Sequence, residues 1–527
     1  MKTTLQRYIQ PATIVIWGLV CFCFFQFFYK YHFFYQEQSQ LFLLSGEYIQ
    51  GYFARPAWLA CLLGDFFTQF YYYLYAGPAL LTGALLVLGD ALRRDFQKTV
   101  LKRWAFPLAM VCMTVVAWLC LDDRFRLSSV VALAGGCVAF WLTPQLKNRF
   151  LCSVLGFCMT LFCYWCFGIG ALLYALLTLL TLTSKSAVAN KWIVASCSVL
   201  AIALISLAKP LYLMNSTDLY TYPGKGALRA PQLLTDRSLG IACEYGLGNY
   251  DKVVAMVEKE EQPTQDMKFY YNLVMAQRGE LPDHLLKWQN NELGTFYKIG
   301  PSTPQVMTNN LYELYWALGD MTFTERAAML ACVFSPNKRN IKTIRRLAEV
   351  NLTTGEQPAA DKYLRLLSQT WVYKDWAKRA LAGDRAILKP YRDKALFCNK
   401  ADTLQTEQNT HWLMMQLLDS NPHNVVALDY LLCSDLLLKD IETFHKDYDR
   451  YCIAPNNERI KPLYQEALCI YLAGTNAQQK EWERYIKSSE VLERFREYNQ
   501  QRGSAQFAGT YWYYFDTADN YQLSNTK

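Results

Sequence analysis

Seven apolar stretches crowd into the first 209 residues, and no water-soluble fold has enough interior to bury them all. They run from Pro11 to Tyr29 and then at about 76–92, 104–121, 127–143, 150–166, 168–183 and 192–208. Each holds roughly 16–20 residues, enough to cross a hydrocarbon core of about 30 Å at a helical rise of about 1.5 Å per residue. The whole-chain mean hydropathy of +0.00 conceals this, because the rest of the 527 residues is polar. Residues 1–209 carry about 16 Lys and Arg against about 7 Asp and Glu, and the remainder about 37 against 38. The net charge of +8 therefore lies in the membrane-like part, and the charge-rich part is close to neutral. That distribution excludes a nucleic-acid-binding protein, and the composition excludes a disordered chain or a single soluble domain.

Lys2 and Arg7 precede the first span in the manner of a signal peptide, but no small-residue cleavage site follows Phe22 to Phe28, so an uncleaved anchor is expected. Basic residues then recur in every second loop: Arg93, Arg94, Lys98, Lys102 and Arg103 after span two, Lys147 and Arg149 after span four, and Lys185 and Lys191 after span six. Lys and Arg are retained on the cytoplasmic side, so this alternation predicts a cytoplasmic amino terminus. An odd span count then places everything after Lys209 outside the cytoplasm of an inner or plasma membrane protein.

The remaining chain reads as helical, with domains expected at 1–209, 210–234 as a Pro- and Gly-rich linker, 235–500, and 501–527 as an aromatic tail. Gly248, Gly279, Gly319 and Gly355 recur near a period of about 34 residues, each followed by an Asn or acidic residue. Glycine ends a helix by taking a positive φ, and the polar residue after it starts the next. With Ala327 to Pro336, Ala359 to Leu367 and Asn421-Pro422 to Leu438, this pattern resembles degenerate tetratricopeptide repeats. The resemblance implies stacked helix pairs with a concave side free for a protein or peptide partner. The fold class expected is thus all-α, a polytopic membrane domain of about seven spans followed by an extracytoplasmic tetratricopeptide-like α-solenoid. Tyr511 to Phe515 is too aromatic for a loose tail and is expected to cap the last repeat.

Signatures of ordinary soluble catalysis are absent, with no HExxH, Walker A or GxSxG pattern. The five histidines (His32, His284, His411, His423 and His445) show no ligand spacing, Cys163 and Cys166 lie inside a span without a second pair, and no metal site is expected. The cysteines of the second half read as small core residues, and no cofactor is indicated.

Between spans one and two lie residues 30–75, too many for a turn and too apolar for a solvated loop. Leu41, Phe42, Leu44 and Tyr48 fall on one helical face, and a second amphipathic stretch runs from Trp58 to Tyr73, so two surface helices are expected. With Glu37-Gln38 soon after the first span, then Leu41 to Gly46 and Arg55-Pro56, this region resembles the GT-C superfamily of polytopic glycosyltransferases that use polyprenyl-phosphate sugars. The resemblance covers about residues 1–90, and Gln38 stands where the family often has a second acid. It implies a catalytic base, for which Glu37 is first candidate and Asp65 second. It also implies cations for the leaving lipid phosphate, for which Arg55, Arg124 and Arg126 lie on the expected face. The alternative is a non-catalytic membrane-anchored tetratricopeptide scaffold, in which Glu37 marks the interface, Asp65 faces water, and Arg124 and Arg126 pair with Asp122 and Asp123.

Overall fold

The computed structural model describes residues 2–122, 124–143, 149–185, 197, 199–228, 230–288, 309–335, 338–398, 410–454 and 459–518. Among these the regular elements are all helices, without a strand. The chain divides into two compact units. The first comprises residues 1–237 with the short segments 339–341 and 365–378, and the second comprises 238–338, 342–364 and 379–527.

In the first unit, three helices are long and apolar enough to cross a membrane: Ile9–Phe28, Ala76–Gln97 and Lys102–Leu119. They form most of α1 (Lys2–Phe28), all of α5 (Ala76–Gln97) and the bulk of α6 (Ala105–Leu119) with its preceding turn. Four further apolar helices, Leu127–Leu142, Ser153–Phe167, Gly170–Thr181 and Val199–Tyr212, are shorter. They coincide with the other four apolar stretches of the sequence. The first three of these belong to α7 (Leu127–Leu142), α8 (Arg149–Phe167) and α9 (Gly170–Lys185).

The core forms where α5 meets α1, α6 and α7. Leu81, Leu85, Leu88 and Leu92 repeat at helical spacing and are buried on that face. On α7, small residues allow close helix approach: a Cβ on Gly136 would stand 2.3 Å from the Gly170 carbonyl oxygen. Val15, Ile16, Leu19, Val20, Trp118 and Trp141 point outward, an exposure that suits a lipid environment.

The long loop between α1 and α5 is compact. It holds α2 (Lys30–Gln38), α3 (Gly46–Gln50) and α4 (Trp58–Thr68), the last continued by a tight turn of helix at Gln69–Tyr72. A helix is therefore present over the second amphipathic stretch. The first stretch lacks one: residues 41–44 are non-helical, and only the five residues of α3 follow. Backbone groups explain the difference. The Leu44 N–H donates to the Gln369 carbonyl at 2.8 Å, and the Gln40 carbonyl accepts from Ile341 at 3.2 Å. The Leu41 carbonyl accepts from the Tyr48 hydroxyl at 2.6 Å. Groups that a helix would pair internally are satisfied from outside, so the segment stays open. Helix α4 lies on α7 and α8 through Ala60, Cys61, Gly64 and Thr68.

The second unit is built of helix pairs. Tyr250–Val257 packs on Gln265–Arg278, Tyr312–Leu318 on Met321–Phe334, and Val425–Leu437 on both Thr410–Ser420 and Ile441–Tyr448. Gly248, Gly279, Gly319 and Gly355 all have φ between +69° and +83°. At Gly319 the chain reverses, and the next residue, Asp320, caps the following helix by accepting the Phe323 N–H at 2.9 Å. An open array of pairs touches only its neighbours, but here Gln265–Arg278 also packs on Val425–Leu437, and Leu281–His284 on Pro462–Gly474. Arg459 ties these early and late helices together. It holds fully buried Asp429 through two bonds of 2.7 and 2.6 Å and the Gly279 carbonyl at 2.7 Å. Early and late helices of the unit thus share a large core in addition to the pairwise stacking.

The aromatic tail completes that core. Tyr511 and Trp512 are buried; the Trp512 indole N–H donates to the Glu466 carbonyl and the Tyr511 hydroxyl to the Leu436 carbonyl, each at 2.8 Å. All cysteines among the described residues are free, and most of those in the second unit are buried.

Candidate functional site

Helix α2 carries Glu37 into the interior of the first unit. Its carboxyl is buried, and among the described residues no hydrogen bond or ion pair reaches it. Burial alone pushes its pKa up to about 8. It lines a cavity of about 10 Å³ with Gln40, Gln69, Ile341, Thr370 and Trp371, which is room for about one water. Gln40 and Gln69 are also buried, and among the described residues the amide oxygen of each lacks a hydrogen-bond partner. Their amide nitrogens are committed: Gln40 donates to the Asp65 carbonyl at 2.9 Å and Gln69 to the Phe66 carbonyl at 3.0 Å. The cavity therefore gathers acceptors, suited to a protonated Glu37, a water or a small cation.

Asp65 lies on the other side of Gln40, half-buried on α4. The Tyr52 hydroxyl donates to its Oδ2 at 2.8 Å, and the Arg55 guanidinium lies over the Tyr52 ring at 4.2 Å. Burial pushes the Asp65 carboxyl up, against the lowering effects of the Tyr52 hydrogen bond and of the Arg126 and Arg55 charges. The Arg126 charge acts on this carboxyl from the turn before α7, where α4 and α7 come unusually close. A Cβ on Gly64 would stand 2.5 Å from Ser128 Cα. Only glycine permits that approach, and so glycine helps set the distance between Asp65 and Arg126.

His32 stands near the same guanidinium. Burial and then the Arg126 charge push its pKa down to about 4, with Asp122 opposing, so the imidazole is neutral at pH 7. Its backbone N–H donates to Asp236 Oδ1 at 2.8 Å, and burial pushes Asp236 up to about 7 against those backbone hydrogen bonds.

The five residues singled out in the sequence thus separate. Asp65 bonds to Tyr52 and feels the charges of Arg55 and Arg126. Glu37 occupies its own cavity and exerts no resolved influence on Asp65. Arg124 is exposed, and it is its backbone N–H that Asp122 accepts, at 3.1 Å; Asp123 lies outside the described residues. Tyr52, Gln40, Gln69 and His32 were not legible as site residues, since an aromatic or amide in an apolar loop carries no signal until its neighbours are known.

No curated protein and no solved structure shows a significant match to this chain. One family model does, over residues 6–518, and its description is a family of unknown function (DUF6057). Because that match spans nearly the whole sequence, the chain belongs to this family.

Proposed function

We propose that this is an integral membrane protein of about seven spans, amino terminus cytoplasmic, whose first extracytoplasmic loop handles the phosphate of a lipid-linked substrate. In this reading it is a GT-C-like transferase that moves a sugar from a polyprenyl-phosphate donor to an acceptor. The second unit, with its tetratricopeptide-like helix pairs, binds the acceptor or a protein partner. The observation that carries the reading is the grouping of Asp65 with Tyr52, Arg55 and Arg126. The charges of Arg55 and Arg126 act on the same buried carboxyl, as a site for a lipid phosphate would require, and burial raises the proton affinity of that carboxyl. Asp65 takes the role of base, with Glu37 second because its cavity has no room for a sugar.

The test is transfer of a lipid-linked sugar by variants of matched abundance. Asp65→Asn should lower it about 10²–10⁴-fold. Arg126→Ala and Arg55→Ala should instead weaken use of the phosphate donor through loss of contacts worth about 1.5–3 kcal/mol. The narrow Glu37 cavity favours the second reading, a membrane-anchored scaffold for an envelope complex. A scaffold predicts that all three variants stay at wild-type product levels, while substitutions on the surface of the second unit release a partner.

A further inference from the structure

Three helices of the second unit, Thr410–Ser420, Val425–Leu437 and Ile441–Tyr448, each turn one metal-ligating side chain toward a common point. These are His411, Asp435 and Asp447, whose ligand atoms all lie within 4.8 Å of one another. His411 Nε2 is 2.6 Å from Asp447 Oδ2 and 3.9 Å from Asp435 Oδ1. We propose that His411, Asp435 and Asp447 bind one divalent transition-metal ion, zinc or a close relative.

Charge is the first argument. Asp435 and Asp447 are both more than nine-tenths buried, and among the described residues no lysine or arginine pairs with either. Two facing carboxylates in such a place need a proton or a cation between them. The second argument is an orphan: Asp435 Oδ2 is buried without a hydrogen-bond partner among the described residues. Geometry is the third. Ligands about 2.0–2.2 Å from a tetrahedral zinc stand roughly 3.3 Å apart, and the observed separations of 2.6 and 3.9 Å bracket that value. Small side-chain shifts would complete the site. One imidazole with two carboxylates suits zinc, manganese or cobalt better than calcium or magnesium, which prefer oxygen alone. His411 is half-exposed, so a fourth position is open to water.

The experiment uses the full chain in detergent, stripped with chelator and titrated calorimetrically with Zn²⁺, with Co²⁺ absorption read in parallel. One saturable site per chain is expected, with a cobalt spectrum lacking the intense thiolate charge-transfer band that free cysteines would produce. His411→Ala and Asp447→Asn should weaken affinity at least tenfold, while His423→Ala, at an exposed histidine, leaves it unchanged. Asp435→Asn separates binding from folding: it should weaken metal affinity without lowering the Tm of the metal-free protein, because it relieves carboxylate repulsion. The proposal is overturned by the absence of saturable binding, by equal affinity in His411→Ala, or by a thiolate spectrum. Absence of binding would mean that a shared proton holds the two carboxylates together, and the other two results would place the metal elsewhere on the chain.

Discussion

Glu37 has a folded-state pKa of about 8 against an ordinary 4.5, and the sign of its effect on stability follows. Below pH 4.5 both states hold the proton and the group is neutral in the balance. Between 4.5 and about 8 the unfolded chain has released a proton that the native state keeps, so stability falls as pH rises through this window and levels off above it. Glu37→Gln has no proton to lose. Its Tm should exceed that of the wild type by a margin that widens from pH 5 to pH 8, on the order of 3 kcal/mol at pH 7. Equal pH profiles for the two proteins would show that the carboxyl is solvated. Gly64→Ala should act in the opposite direction, because its Cβ would meet Ser128 backbone that cannot rotate away. Overpacking of about 1–3 kcal/mol is expected, read as lower Tm and abundance. The sequence marked Glu37 and Asp65 as rare acids in an apolar loop. That one is enclosed and the other grouped with Tyr52, Arg55 and Arg126 depends on side chains drawn from several helices.

At the scale of elements, local chemistry was the readable part. The Gly-then-acid breaks were expected to end one helix and begin the next, and Gly319 followed by Asp320 does so. Asp320→Ala should cost about 1 kcal/mol of second-unit stability by loss of the cap. Arg459→Ala should cost more, about 3–5 kcal/mol, since it leaves the buried Asp429 carboxylate without its cation. Thermal unfolding followed by circular dichroism ranks the two, and a larger loss in Asp320→Ala would contradict the role given to Arg459. Leu41 to Leu44 was the misread element. Its apolar spacing is helical, but the backbone partners of Leu44 and of the preceding Gln40, at Gln369 and Ile341, lie hundreds of residues away, and periodicity carries no information about them.

For the whole molecule, the alternation of basic loops makes a topology prediction: cysteine labelling should find Gln97 on the cytoplasmic side and Leu228 on the other. Finding both on one side would remove the basis for the proposed orientation. Residues 235–518 expressed alone should be soluble and strongly helical, because their apolar residues are periodic. Within that fragment, residues 365–378 should lose hydrogen-exchange protection, since their partners in residues 1–237, including Tyr73 for the Trp371 indole at 3.1 Å, would be missing. Helical class, the apolar clustering of the first 209 residues, the glycine punctuation and the rarity of charge in the first loop were all determined by the sequence. Each depends on neighbours a few residues apart or on composition, which a linear reading contains. Only the tertiary structure decided that the Arg126 charge acts on Asp65, that His411 meets two aspartates from later helices, and that Arg459 ties early and late helices of the second unit together. The physical reason is the same in each case: burial and electrostatic pairing act through space, between groups whose separation along the chain is unrelated to their distance in the fold.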